Sequence, residues 1–252
     1  MLSGWIIKQV DQFTGYRIIF SLSLGVYSLA VLVSFLLKRR RAPGQFRLAD
    51  ILRLGIRRKN NWYWVNLAMI AQGAREGVFA FLLGLLVYIA AKDEWVVGNY
   101  LAISSLVSLV AYYVVGRYIR PGWRDECILT GAMMMGLVCL PILWDFNTWT
   151  LFGLGVGASL FFPLYFVPLT STVFDVIGES RETARFRVEF VVARELALNL
   201  GRVFSLIIFI GWVHHAPSPE QLRWLVLAFG FVPVLTWLAI RHVPIPEESE
   251  RR

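Results

Sequence analysis

The chain has 252 residues, of which 57% are hydrophobic, 15% aromatic and 17% charged, with a formal net charge of +8. A mean hydropathy of +0.60 lies far above that of a soluble globular domain and predicts an all-α polytopic membrane protein. The basic residues are dispersed over alternate loops, which argues against a nucleic-acid partner and for the lipid bilayer as the surroundings of the chain.

Seven runs are long and apolar enough to cross about 30 Å of hydrocarbon as helices. They occupy 18–37, 62–91, 96–116, 127–144, 149–176, 190–213 and 222–240. The first lacks a basic start and a small-residue cleavage site and is followed by KRRR, so it reads as a retained signal-anchor. Trp62, Trp64, Trp95, Trp149 and Trp224 stand beside the ends of apolar runs, where bilayer interfaces favour tryptophan.

The one long connection, 38–61, contains Pro43 and Gly44 and then an amphipathic stretch. Leu48, Ile51, Leu52 and Ile56 share one helical face there. The expected element is a surface helix on the cytoplasmic face of the membrane, with a regulatory docking site as the functional alternative.

In the second run, Gln72, Arg75 and Glu76 form a polar patch. Consecutive helix positions point about 100° apart, so Arg75 and Glu76 are poor partners for each other. An Arg or Asp near the centre of a span costs about 2.5–3.5 kcal/mol, so each is expected to reach another helix or a water-filled cavity. The starting position of the run places both in the cytoplasmic third. The adjoining face, Gly73, Gly77, Ala80 and Gly84, is small enough for another backbone to approach closely.

In the third run, Asn99, Ser104, Ser105 and Ser108 are small polar groups that serve as helix contacts more often than as ligands. Cys127 and Cys139 fall on one predicted helix, roughly 18 Å apart at 1.5 Å per residue, too far to bridge. The fifth run carries Gly153, Gly155 and Gly157, then Pro163 and Pro168, and is expected to bend as a hinge. Thr170, Ser171 and Thr172 are hydrogen-bonding groups for the bundle, and Asp175 is a cap at the end of the run.

The sixth run repeats the tripeptide Ala-Arg-Glu at 193–195. Glu195, Asn199 and Arg202 recur at i, i+4 and i+7 on one face. If the two tripeptides share a depth, crossed pairs are expected: Arg75 with Glu195, or Glu76 with Arg194 or Arg202. These residues are candidates for a transport pathway or gate, with Glu76 as a proton-coupling carboxylate or Arg75 as an anion-binding group. The bland reading is packing salt bridges alone.

Of the 25 Lys and Arg, 18 fall in 38–61, 117–126, 177–189 and 241–252, and four in the opposite set of loops. The positive-inside rule then places the N-terminus outside and the C-terminus in the cytoplasm of a cell membrane. The organisation is an extracytoplasmic N-terminus with the first helix (1–37), a basic cytoplasmic loop (38–61), a six-helix bundle (62–241) and a cytoplasmic tail (242–252).

This topology resembles the major facilitator superfamily, whose members have two six-helix halves joined by a long cytoplasmic loop. The cytoplasmic signature of that family, G-x-x-x-D-R-x-G-R-R, is similar to GRYIRPGWR at 116–124. Gly116 and Arg124 fit, Arg120 stands where the acid is expected, and Gly122 falls one position early. The resemblance makes 18–37 the sixth helix and 62–240 helices seven to twelve, with the kinked run lining and gating a cavity. It implies secondary transport of a small solute, with a coupling proton among its partners.

Such a half would need a second half-transporter chain or a homodimer, or would be the rear part of a disrupted transporter. The competing classes are a seven-helix receptor and a non-transporting membrane interaction protein. A retinal protein is disfavoured because Lys8, Lys38, Lys59 and Lys92 all lie outside the spans. No Walker loop, HExxH or CxxC motif occurs, and His214, His215 and His242 are split between the two ends. No enzyme activity, cofactor or metal is expected.

Overall fold

The computed structural model describes residues 12–36, 47–58, 60–91, 94–145, 147–179, 185–215 and 219–244. The KRRR run, Pro43 and Gly44 lie outside these residues, as do most of the terminal segments. Among the described residues the chain is all helical: α1 (Gln12–Ser34), α2 (Leu48–Leu54), α3 (Asn61–Ala91), α4 (Glu94–Tyr118), α5 (Arg124–Leu137), α6 (Thr148–Gly178), α7 (Arg187–His215) and α8 (Pro219–Ile240). Seven of the helical segments are long and apolar enough to cross a membrane, and they coincide with the seven apolar runs.

Helices α3 to α8 pack on one another, with α3 against α7 the most extensive contact, followed by α3–α8, α5–α6 and α4–α6. By contrast, the spanning window of α1 buries none of its residues. Phe13, Phe20, Leu22, Leu24 and Tyr27 on α1 are all exposed. A helix apolar on every side and buried on none satisfies its backbone internally and needs only a hydrocarbon-like environment.

Glycine sets the close approach of α3 and α7. A Cβ on Gly73 would lie 2.0 Å from the Leu198 carbonyl oxygen, and one on Gly201 would lie 2.0 Å from that of Ile70. A Cβ on Gly77 would meet Ser205 Oγ and the Arg202 backbone. Because the contact points advance together along both helices, α3 and α7 run parallel. Gly84, expected on the same small face, has nothing within 4 Å of its Cβ position and plays no part in the crossing.

Two apolar clusters fill the bundle. One, towards the end bearing α2, includes Trp62, Val65, Met69, Ile128, Tyr165, Leu169 and Phe190. The other includes Val78, Leu82, Leu86, Tyr100, Ile142, Leu154 and Phe229. Helix α3 contributes 62–69 to the first and 78–87 to the second, so Gln72, Arg75 and Glu76 fall at the seam.

Several expectations are corrected by this packing. Trp62 is 1% exposed and meets the Phe190 ring edge-on, so it is a core residue and not an interfacial anchor. Trp149, at 81% exposure, has the environment expected of an anchor. The run 127–144 is not one α-helix: α5 stops at Leu137 and a short 3-10 turn follows over Leu140–Leu143. Pro141 has no N–H to give and its ring crowds the preceding turn, which ends the helix there.

Helix α2 buries Ile51 and half-buries Leu48 and Leu54 against the rest of the protein, whereas Leu52 and Ile56 are exposed. Its partner is the start of α7, and the backbone N–H of Arg47 donates to Glu189 Oε1 at 3.3 Å. The amphipathic stretch is therefore docked on the bundle through a face that is rotated from the expected one.

Candidate functional site

Arg75 and Glu76 stand near the middle of α3, which starts at Asn61 and whose apolar span runs to Tyr88. Tyr165 of α6 and Arg202 of α7 are near the middles of their own spans, Thr148–Gly178 and Arg187–His214. Four polar side chains are thereby gathered at one depth.

Tyr165, Glu76 and Arg202, together with Gln72 and Asn199, form a continuous chain from which Arg75 stands apart. The Tyr165 hydroxyl donates to Gln72 Oε1 at 2.5 Å, and Gln72 Nε2 donates to Glu76 Oε1 at 2.7 Å. Arg202 Nη2 donates to Glu76 Oε2 at 2.7 Å, and Arg202 Nη1 donates to Asn199 Oδ1 at 3.1 Å. The i, i+4 spacing aligns Gln72 with Glu76, and the α3–α7 crossing brings in Arg202. Both oxygens of the carboxylate accept bonds, one of them charge-assisted.

Of the expected crossed pairs, Glu76 with Arg202 is present. Arg75 with Glu195 and Glu76 with Arg194 are not formed. The glycine contacts explain this, since they put Arg75 level with about residue 200 of α7. The second Ala-Arg-Glu therefore lies about 9 Å further towards the start of α7, at 1.5 Å per residue. Arg194 Nη1 instead reaches the neighbouring Glu195 Oε1 at 3.1 Å, and Asn199 Nδ2 donates to the Glu195 carbonyl. Long side chains thus bridge consecutive positions that the helical angle alone would separate.

Arg75 is the exception to the satisfied network. It is 6% exposed, and its Nε–H has no acceptor among the described residues. No described carboxylate lies within ion-pair distance of its guanidinium. The guanidinium carbon lies 4.8 Å from the Phe79 ring centroid and 5.2 Å from that of Phe162. Two cation–π contacts of about 0.5–2 kcal/mol each offset part of the cost of burial, and leave the Nε–H without an acceptor among the described residues.

A cavity of about 620 Å³ opens beside this group, between α3, α4, α6 and α7. Arg75, Glu76 and Arg202 border it, with Phe79, Leu83, Tyr100, Phe162 and Leu206 as its apolar wall and Ser108 and Ser159 as small polar points. Its size falls in the range of small-molecule sites. Phe79, Tyr100, Phe162 and Tyr165 were not legible as site residues, since aromatic side chains in apolar runs carry no sign of facing a cavity. A tyrosine at mid-span, whose hydroxyl needs a partner, is the one usable signal.

The proposed hinge residues occupy a helix that is α-helical from Thr148 to Gly178, with Pro163 and Pro168 buried inside it. The Thr172 hydroxyl donates to the Pro168 carbonyl at 3.0 Å. Gly155 and Gly157 are close-approach positions against Tyr100 and Val138, whereas Gly153 faces open space.

In the loop motif, Arg124 pairs with Asp175 at 2.5 Å, tying the end of α6 to the start of α5. Asp175 is therefore an ion-pair partner and not a helix cap. Gly116 is exposed with nothing near it, and Arg120 is exposed over the Trp123 ring, so neither reaches the cavity.

The arrangement is that of a helical bundle with a polar layer and a cavity at mid-span. The chain is similar to the uncharacterized protein YqgE of Bacillus subtilis (strain 168), with 38% identity over 211 residues, which are 83% of this chain and 49% of that relative. The chain spans about half the length of this curated relative. No family model matches the chain, and no solved structure matches it.

Proposed function

We propose that the chain is one half of a secondary transporter of the major facilitator type, an integral membrane protein that moves a small solute by alternating access. The observation that carries this reading is the Tyr165–Gln72–Glu76–Arg202 chain at mid-span beside a cavity of about 620 Å³. Secondary transporters place substrate and coupling-ion sites near the bilayer midplane, between repeats that rock against each other. Glu76, held between a neutral donor and an arginine, is the group suited to exchange a proton or to latch a gate.

The surface of α7 supports a second half. Asn199 is exposed at mid-span, beside Arg202, on a helix otherwise rich in exposed aliphatic groups. A polar group at this depth is costly against lipid, so this face is assigned to the complementary six helices or to water between the halves. A relative about twice as long as the matched segment has room for them. The loop charges favour an outside N-terminus and a cytoplasmic C-terminus in the cell membrane.

The test is flux into proteoliposomes containing the chain, with labelled sugars, amino acids, organic anions and amines. Accumulation of at least one class, abolished by Glu76→Gln without loss of folded protein, is the expected result. Absence of flux for every class, with the protein folded, inserted and paired as a homodimer or with a complementary half, counts against the reading.

A further inference from the structure

Arg75 has a geometry that the Glu76–Arg202 network does not use. Its guanidinium is almost fully buried, borders the cavity, and has an Nε–H with no acceptor among the described residues. The neighbouring Glu76 carboxylate turns to Gln72 and Arg202 and makes no ion pair with Arg75. The three charged residues on the cavity wall, Arg75, Glu76 and Arg202, therefore leave one positive charge uncompensated.

We propose that this cavity binds a small organic anion, a carboxylate or phosphate monoester on an apolar body, with its oxyanion on Arg75. The planar fork of arginine presents paired donors that match such oxygens bidentately. Phe79 and Phe162 lie against the guanidinium and fix its plane, which keeps the fork from turning into the apolar clusters. Leu83, Tyr100 and Leu206 then meet the body of the anion, and Ser159 supplies a small polar contact. A cation meets in this cavity a Glu76 carboxylate that is already paired with Arg202. A neutral solute of the same shape leaves the arginine without an acceptor.

The inference rests on the transport reading only for the passage of the anion; binding stands separately. The purified 252-residue chain is placed in phosphatidylcholine nanodiscs and its thermal midpoint followed with benzoate, phenyl phosphate, benzamide or benzylamine at millimolar concentration. Benzoate or phenyl phosphate raises the midpoint by about 2 °C or more, as expected for a ligand near ten times its Kd, and the neutral and cationic isosteres do not. Arg75→Gln removes the response while leaving the unliganded midpoint equal or higher, and Arg75→Lys keeps part of it. Ser159→Phe, which retains the charge and fills the cavity, weakens it.

An equal response to benzylamine, or an undiminished response in Arg75→Gln, overturns the proposal. A midpoint raised by phosphatidylglycerol in the disc, lost in Arg75→Gln and accompanied by no response to benzoate, assigns the anion to a lipid headgroup and overturns the solute. Anion binding without flux of any class refutes transport and leaves the site standing. Flux of an amine or sugar without anion binding does the reverse.

Discussion

Arg202 of α7 donates to Glu76 of α3 at 2.7 Å, joining the middles of two parallel helices whose backbones meet at Gly73, Gly77 and Gly201. The pair is partly exposed to the cavity, so its strength is that of a screened contact and not of a dry one. Glu76→Arg and Arg202→Glu are each expected to lower the thermal midpoint, and the double reversal to recover most of the loss. A double-mutant cycle in detergent should return a coupling of about 1 kcal/mol. Zero coupling means that the two charges are held by other partners.

The glycines of the α3–α7 crossing should not tolerate even a methyl group. Gly73→Ala and Gly201→Ala each place a Cβ 2.0 Å from a backbone carbonyl oxygen, which no rotamer change relieves. A loss of about 1–3 kcal/mol or more follows from overpacking. Gly84→Ala and Gly153→Ala meet nothing within 4 Å and should be neutral or stabilising by about 0.5–1 kcal/mol, since alanine suits a helix interior better. Thermal midpoints of the four variants, measured side by side, check the contrast.

Tyr165→Phe deletes the donor to Gln72 and leaves a buried oxygen unmet. The expected cost is about 1–3 kcal/mol, the penalty of an unsatisfied buried polar group. Adding Gln72→Leu should return part of that stability, because the orphaned group is then gone. Thermal denaturation of the single and double variants decides whether Gln72 accepts from Tyr165 as described.

At the end of the bundle near α2, Arg124 and Asp175 hold the loop 117–123 against α6. Arg124→Gln should expose that loop. Trypsin cleavage after Arg117, read by gel and mass spectrometry, is expected to be several-fold faster than in the parent chain, while the Arg120–Pro121 bond resists the enzyme. An unchanged cleavage rate means that the loop is fixed by Asp125, whose Oδ1 accepts from Trp237 Nε1 at 3.0 Å.

Much of the secondary structure was legible because span length and hydropathy are local properties. All seven runs became helical segments, and only the 127–144 run concealed a break, at Pro141, whose consequence depends on where in the turn the ring falls. The polar patch Gln72–Arg75–Glu76 was legible as well, since charges within an apolar run demand an explanation. Which side chains of the preceding turns face the core was not legible: Trp62, Val65, Ala68 and Met69 are buried, whereas Leu67 is exposed.

The sequence by itself determined that seven helices would form, which of them carried ionisable groups, and that small residues at 73 and 77 would admit another backbone. Those outcomes follow from composition within a turn or two of helix. The tertiary structure alone decided that Glu76 meets Arg202 and not Arg194, because the offset between α3 and α7 is set by where their glycines interlock. It also decided that Arg75 is the charge left facing a cavity between Phe79 and Phe162, a relation between α3 and α6 that no single stretch of sequence contains.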